Sequence, residues 1–205
     1  MKIVIATRNR HKAVELQTLL HGAGYDAVQL DEIDPDNIIP EVEETGTTFK
    51  ENALLKAHAI AKATGLPAIG DDTGLEVDIL GGAPGIFSAR YAGENCTYED
   101  NVKKLLRELS DVADDRRTAR FKTVAVYVHK ETELSAEGVV EGVITEKAEG
   151  FGGFGYDPVF SVWDMKKTYA QLADEEKNRV SHRGKAIRSL IEKLCENGLI
   201  ADNPS

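Results

Sequence analysis

Two adjacent carboxylates, Asp71 and Asp72, are the residues of this sequence whose type and spacing point most clearly to chemistry. They follow a short apolar run at 66–69 and are flanked by Gly70 and Gly74, a pattern that favours a tight turn at the end of a strand. Because neighbouring side chains on an extended segment point opposite ways, one carboxylate can face a cleft while the other supports it. Such a carboxylate can hold a hard cation such as Mg²⁺ or accept a proton from water. Asp-Asp turns also occur in ordinary loops, which leaves both interpretations open.

A second candidate feature lies at residues 7–12, between a short apolar strand and a helix for which Asn9 is the candidate N-cap. The free N–H groups at the start of a helix suit a phosphate, and Lys12 adds a point charge. The glycines and the Gly-Lys-Ser/Thr ending of a Walker A loop are missing. A capped helix start with solvated basic residues is the alternative interpretation. The residues concerned are Thr7, Arg8, Asn9, Arg10, His11 and Lys12.

The helix predicted over 48–64 carries a third feature. Asn52 and Lys56 are four residues apart and therefore share one helix face. Upstream, Glu43 and Glu44 could bring a carboxylate to the start of this helix, where it could help to bind a metal or simply interact with the helix dipole. An exposed lysine is the ordinary alternative for Lys56.

Two later segments have base- and anion-binding character. Three aromatic residues alternate with glycines at 150–158, and such a loop can bring flat rings and backbone N–H groups to a ligand. A hairpin loop with aromatics packed in the core is the alternative. Near the carboxyl end, His182 and Arg183 begin a predicted helix, where cations are unfavourable unless an acceptor-rich ligand offsets the dipole. The candidate residues are Phe151, Phe154, Tyr156, Asp157, Lys177, His182 and Arg183.

Composition narrows the class of protein. The chain has 205 residues, 41% hydrophobic residues and a formal net charge of −10, which fits a globular protein and disfavours nucleic-acid binding. Cys96 and Cys195 show no metal or disulfide spacing, and no segment has the length of a membrane span or a signal peptide, so we expect a cytoplasmic protein without a membrane partner. Carboxylates, lysines and an aromatic loop together are the inventory of a nucleoside triphosphate site, whereas zinc clusters and a nucleophile elbow are absent from the sequence.

Strands and helices interleave along the chain. Hydrophobic spacing predicts strands over 2–7, 66–70, 118–129, 133–147 and 158–163, and helices over 10–22, 48–64, 97–109, 171–179 and 182–197. The acidic segment 25–47 is predicted to be a weak strand followed by a loop. The long strands joined at 130–132 form a predicted antiparallel hairpin. We therefore predict an α/β fold with a mixed β-sheet.

These fragments together resemble the inosine/xanthosine triphosphate pyrophosphatase family, and the resemblance covers nearly the whole chain. No single fragment is specific, but their order and spacing are. The matching segments are 6–9 with Lys12, 43–46, 49–53, 71–75, 81–85, 88–91, 152–158 and 181–184.

The resemblance implies a bilobal α/β fold with a long mixed sheet, flanking helices and a central cleft, formed by residues 1–205 and assembled as a homodimer. It implies Mg²⁺-dependent hydrolysis of ITP, dITP and XTP to the monophosphate and pyrophosphate. Asp72 would be the general base and a metal ligand, and Glu44 or Glu43 a second ligand. Asp71 would support this site. The implied substrate-binding residues are Thr7, Asn9, Lys12, Lys56 and Thr73 for phosphate or ribose, and Phe154, Gly155, Tyr156, Asp157, Lys177, His182 and Arg183 for the nucleotide and base.

Two positions depart from the family pattern. Arg8 stands where a glycine is common, which crowds the phosphate loop but adds positive charge, and Thr73 stands where a serine is common but keeps the hydroxyl. Two other functions would use much of the same inventory: a pyrophosphatase for other altered nucleotides, and a nucleotide sensor without catalysis. The carboxylates at Asp72 and Glu44 count against the sensor.

Overall fold

The computed structural model of the protein describes residues 2–199, which form a mixed α/β fold. The strands are β1 (Lys2–Ile5), β2 (Asp26–Gln29), β3 (Ala68–Val77), β4 (Thr118–His129), β5 (Thr132–Ile144), β6 (Phe160–Val162) and β7 (Lys167–Thr168). The helices are α1 (Arg10–Gly22), α2 (Leu30–Ile33), α3 (Phe49–Thr64), α4 (Tyr98–Glu108), α5 (Asp174–Val180) and α6 (His182–Glu196).

The strands form one seven-stranded sheet in the order β2-β1-β3-β4-β5-β6-β7. Strand β1 pairs in parallel with β2 and β3, whereas β6 pairs antiparallel with both β5 and β7. The prediction of a mixed sheet is therefore confirmed.

Local signals explain where the main helices begin. The side chain of Asn9 accepts the backbone N–H groups of His11 and Lys12, as expected for the N-cap of α1. Thr48 and Glu51 form a capping box at the start of α3, and Gly65 ends that helix with a left-handed backbone at φ 68°. These caps set the positions of Lys12 and Lys56, which lie on α1 and α3 respectively.

Contacts within the chain separate two compact units. The first comprises the described residues 2–72, 123–138 and 183–199, and the second comprises 73–122 and 139–182. In the first unit, Ile3 and Ile5 of β1 belong to one buried core with Leu16 of α1 and Ile187 of α6. The core of the second unit is richer in aromatic side chains and includes Phe121, Tyr156, Phe160 and Tyr169. The prediction that residues 1–205 form a single bilobal domain stays a prediction.

The sequence-based assignment of the Asp71–Asp72 pair to a turn was wrong. Strand β3 continues from Ala68 to Val77 and carries both carboxylates in its buried middle. Acidic residues are unfavourable in a buried strand unless charge partners compensate them, and here lysine and arginine side chains do so. The short elements α2 and β7 were not predicted because two to four residues are too few to show a periodicity.

Within residues 2–199, no helix is long and apolar enough to cross a membrane.

Candidate active site

The two neighbouring carboxylates of β3 have different partners. Oδ2 of Asp71 lies 3.5 Å from Nζ of Lys12, and Asp71 is fully buried. Oδ1 of Asp72 lies 3.5 Å from Nζ of Lys56. The nearest lysine ammonium is therefore a different one for each of the two carboxylates.

Lys56 joins the carboxylate of Asp72 to that of Glu44. Its Nζ donates to Oε1 of Glu44 at 2.7 Å and remains within 3.5 Å of Asp72. Burial by itself would lower the pKa of Lys56, but the charges of Asp72, Asp71 and Glu44 outweigh burial and raise that pKa. Lys56 is therefore a stable cation between two carboxylates.

At Asp72 and Lys12, unlike at Lys56, burial outweighs the nearby opposite charges and decides the direction of the pKa shift. Burial raises the pKa of Asp72, and the positive charges of Lys56 and Lys12 offset this only in part. At Lys12 burial is again the largest effect, and it lowers the pKa together with the nearby charges of Lys56 and Arg183 against the opposing effect of Asp71. A carboxylate with a raised pKa is a better proton acceptor than an exposed one.

A buried amide on α3 contacts Asp72 as well. Nδ2 of Asn52 donates to Oδ2 of Asp72 at 3.3 Å. Oδ1 of the same side chain accepts the backbone N–H of Gly46 at 2.8 Å. Asn52 therefore links β3 to the segment that precedes α3, two residues from Glu44.

Close packing of α3 against β3 depends on Gly70. A Cβ atom at this position would lie 2.7 Å from the carbonyl oxygen of Ala53 and 3.3 Å from Cβ of Ala57. Real Cβ atoms do not approach a backbone oxygen so closely, which means that any other residue would push α3 away from the strand. The absence of a side chain at Gly70 thus lets Asn52 and Lys56 reach Asp72.

Arg183, at the start of α6, is buried in the first unit with two carboxylate partners. Its Nε donates to Oδ2 of Asp71 at 3.2 Å, and its Nη1 makes a short contact with Oε2 of Glu15. Sequence reasoning missed Glu15. The available signal was its position three residues after Lys12, on the same face of α1.

Among the other residues of the 7–12 segment, Thr7 has a local contact and Arg8 has distant ones. Oγ1 of Thr7 accepts the backbone N–H of Asn9 at 3.2 Å, and the side chains of Arg10 and His11 are exposed. Arg8 donates to Oδ2 of Asp34 at 2.5 Å and to the carbonyl oxygen of Ile39 at 3.1 Å. The guanidinium of Arg8 is therefore anchored to the segment that follows α2.

In the second unit, Lys177 and Asp157 form a buried ion pair with Nζ and Oδ2 2.7 Å apart. Oδ2 of Asp157 also accepts the backbone N–H of Phe154 at 2.8 Å. The ammonium of Lys177 lies 4.9 Å from the centre of the Phe154 ring, which is within cation–π range. The sequence-predicted residues Phe154, Asp157 and Lys177 are thus in mutual contact, and Gly155 lies in the same loop with φ 62°.

His182 lies in an aromatic cluster of the same unit. Its ring stacks on Phe121 with centroids 4.5 Å apart, and its Nδ1 lies 3.4 Å from the hydroxyl of Tyr169. Tyr156 is buried in the core, and its hydroxyl donates to the carbonyl oxygen of Ser88 at 3.0 Å. No spacing in the sequence indicated Phe121 or Tyr169, because they come from distant segments.

Oxygen donors for a cation are present in the first unit. Glu44 and Asp72 both contact the ammonium of Lys56, whereas Glu43 is exposed. Across residues 2–199 there is no group of three or more His, Cys, Asp or Glu suited to hold a metal. Two carboxylates without a full protein cage fit Mg²⁺, which commonly binds through one or two carboxylates and substrate phosphates.

A mixed α/β fold in which carboxylates and lysines converge suits the class of enzymes that act on phosphate-bearing substrates. The pattern that describes the Ham1 family matches residues 3–193. The chain belongs to the Ham1 family.

Known relatives cover nearly the whole chain. A protein of Salmonella paratyphi A named dITP/XTP pyrophosphatase is 54% identical over 196 residues, which are 94% of this chain and 98% of the relative. The Ham1 protein of Staphylococcus aureus has a similar structure, with a TM-score of 0.82, 42% identity, and coverage of 96% of this chain and 100% of its own. A HAM1 protein from Coxiella burnetii gives a TM-score of 0.84 at 41% identity, with 96% and 99% covered. The predicted family, the α/β fold class and the enzyme class, a nucleoside triphosphate pyrophosphatase, are confirmed.

Proposed function

We propose that the protein hydrolyses the aberrant purine nucleotides ITP, dITP and XTP to the monophosphate and pyrophosphate, and so removes them from the nucleotide pool. The observation that carries the proposal is the convergence of Glu44 and Asp72 on the ammonium of Lys56. Such a cluster can receive a polyphosphate together with its cation. The name of the 54% identical relative supports the same activity.

Mg²⁺ is the expected cofactor, held by the carboxylates of Asp72 and Glu44. When bound, the ion would neutralise phosphate charge and lower the pKa of a nearby water. Of the two glutamates considered from the sequence, the contact between Glu44 and Lys56 favours Glu44.

Asp72 is the proposed general base. In the reaction one water adds across the anhydride bond between the α- and β-phosphates, and Asp72 takes a proton from that water. The raised pKa of Asp72 increases its basicity. Lys12 and Lys56 would hold the phosphates and stabilise the negative charge that develops on pyrophosphate.

Of the proposed base-binding residues, those from Phe154 to His182 belong to the second unit, and Arg183 belongs to the first. Phe154 offers a ring for stacking, and the Asp157–Lys177 pair holds the loop that carries it. Inosine and xanthosine present a keto oxygen at the purine 6-position, where adenosine has an amino donor. Donors from His182 or Arg183 would suit the keto oxygen and would be left unpaired against adenosine, which costs affinity.

Assembly and location remain proposals of the same kind. We propose a cytoplasmic homodimer that binds a purine nucleoside triphosphate and neither nucleic acid nor membrane. The net charge of −10 supports the exclusion of nucleic acid. Light scattering of the purified chain would give twice the monomer mass, and a monomer would contradict the dimer.

A turnover assay tests the central proposal. Pyrophosphate release is measured with ITP, dITP, XTP, GTP and ATP, each with Mg²⁺ and with EDTA. We expect rapid release from the first three only, and none with EDTA. Equal turnover of ATP, or turnover that survives metal removal, would reject the proposal.

A further inference from the structure

The side chain of Asn52 makes two hydrogen bonds near the two carboxylates of the candidate metal site. One is to Asp72 itself, and the other is to the backbone two residues after Glu44. The Asn52 side chain is 1% exposed. On one side it meets the carboxylate of Asp72, and on the other the backbone N–H of Gly46. Because the side chain has almost no access to solvent, its polar atoms depend on these two protein partners.

The chemistry of the partners sets the orientation of the Asn52 amide. The backbone nitrogen of Gly46 can only donate, so the atom of Asn52 that faces it must be the carbonyl oxygen. The amide nitrogen then faces Asp72, whose carboxylate accepts its hydrogen. A carboxylate at position 52 could still accept from Gly46 but could not donate to Asp72.

The segment at Gly46 is closely fitted to this helix face. A Cβ atom on Gly46 would lie 2.7 Å from both Oδ1 of Asn52 and Cβ of Glu51. Because Gly46 follows Glu44 by two residues, a shift of this segment would move Glu44 away from Lys56. The amide of Asn52 therefore holds the Glu44 segment and Asp72 against the same turn of α3.

We propose that Asn52 is a positioning residue that holds Glu44 and Asp72 in register for the cation and the water. This inference rests on the proposed function for the identity of the two carboxylates. Asn52 itself touches neither substrate nor metal in this role. Its loss would loosen the Glu44 segment and release the carboxylate of Asp72 from its fixed direction.

The chain offers a matched control in Asn101 on α4. Its side chain is also buried, its Oδ1 accepts the backbone N–H of Ala92 at 2.7 Å, and its Nδ2 donates to the carbonyl oxygen of Ala89 at 3.1 Å. Asn101 thus fastens a segment to a helix as Asn52 does, but its Nδ2 donates to a backbone carbonyl instead of an active-site carboxylate, and its Oδ1 also accepts from the thiol of Cys96.

The experiment compares Asn52→Leu, Asn52→Asp and Asn101→Leu in the full chain. Leucine has nearly the shape of asparagine without its hydrogen bonds. Three quantities are measured: amide hydrogen exchange at Gly46 by NMR, Mn²⁺ binding to the protein without nucleotide by electron paramagnetic resonance, and kcat and KM for ITP with Mg²⁺.

We expect Asn52→Leu to weaken Mn²⁺ binding and to lower kcat by about 10- to 100-fold, the usual effect of losing a group that orients a metal ligand, and to speed exchange at Gly46. Asn52→Asp should lower kcat similarly while Gly46 stays protected. Asn101→Leu should change none of the three but should lower thermal stability by about as much, because it also removes the hydrogen bonds of a buried amide. If Asn52→Leu does not fold, Asn52→Asp decides by its combination of low kcat and protected Gly46.

Unchanged exchange at Gly46 in Asn52→Leu, or kcat in Asn52→Asp equal to that of the unaltered protein, would overturn the inference. Failure of the unaltered protein to hydrolyse ITP would reject the proposed function instead. The exchange at Gly46 would still test the role of Asn52 in holding the segment.

Discussion

Oδ2 of Asp71 accepts a hydrogen bond from Nε of Arg183 at 3.2 Å, although 112 residues separate the two in the chain. Both side chains are almost fully buried. The same oxygen lies 3.5 Å from Nζ of Lys12, and Arg183 has a second partner in Glu15. Arg183, a buried cation that contacts two carboxylates, therefore shares the carboxylate of Asp71 with Lys12.

Replacing Arg183 should therefore destabilise the protein. Arg183→Met leaves Asp71 and Glu15 without their shared cation, which costs about 3–5 kcal/mol for a buried pair. Glu15→Gln should cost less because Glu15 is partly exposed. If Glu15 acts through Arg183, the double variant should be little worse than Arg183→Met alone. Urea unfolding gives these free energies. If the losses in unfolding free energy add fully in the double variant, they contradict the coupling. The control is Glu133→Gln, at an exposed ion pair with His58.

Asp72→Asn should lower kcat for ITP by at least about 100-fold, the usual contribution of a general base. Asparagine keeps the size of the side chain but cannot take the proton from water. Stopped assays of pyrophosphate release measure the effect, and Asp26→Asn, at an exposed position of β2, is the matched substitution. Hydrolysis of ITP at a near-normal rate by Asp72→Asn would refute the assigned role.

Gly153→Ala should be more harmful than Gly155→Ala in the same loop. Both glycines have positive φ, 71° and 62°, and each alanine costs about 1–2 kcal/mol for the left-handed backbone. Only at Gly153 would a Cβ atom meet Oδ2 of Asp157, at 2.1 Å, whereas nothing lies within 4 Å at Gly155. The difference in unfolding free energy therefore isolates the clash with the Asp157–Lys177 pair. Equal losses for the two variants would show that Asp157 moves aside freely.

Stability should fall in acid partly through Asp34. Burial alone would raise the pKa of Asp34, but hydrogen bonds from the N–H groups of Ile39 and Ile38 and from Arg8 outweigh it and lower the pKa. A carboxyl whose pKa is lowered in the folded state stabilises the protein fully at pH values above the ordinary pKa of that carboxyl, 3.8. This contribution is lost as the pH falls through the folded-state pKa.

The measurement is urea unfolding of the unaltered protein and of Asp34→Asn at pH 7 and at pH 3. The stability difference between the two proteins should be smaller at the lower pH. Asp36→Asn, at an exposed position two residues on, is the matched substitution. A difference that is constant with pH would mean that the carboxylate charge of Asp34 is irrelevant to folding.

Local sequence signals predicted the elements that carry the lysines. The ends of α1 and α3 follow from caps at Asn9, Thr48 and Gly65, which depend on residues within four positions of one another. The same local reasoning failed at β3. Two aspartates beside glycines have the composition of a turn, and the composition cannot reveal that lysines and an arginine from other elements compensate their charges.

The sequence by itself determined the family and the alternation of helices and strands, because motif spacing and short-range periodicity can be read from the order of the residues. It also indicated four candidate site residues, Asp71, Asp72, Lys12 and Lys56. Only the tertiary structure decided that Glu44 is the glutamate that contacts Lys56, that Asn52 links Gly46 to Asp72, and that Arg183 pairs with Asp71 and Glu15. The physical reason is that a buried charge or amide needs a partner, and long-range packing selects which side chain supplies it.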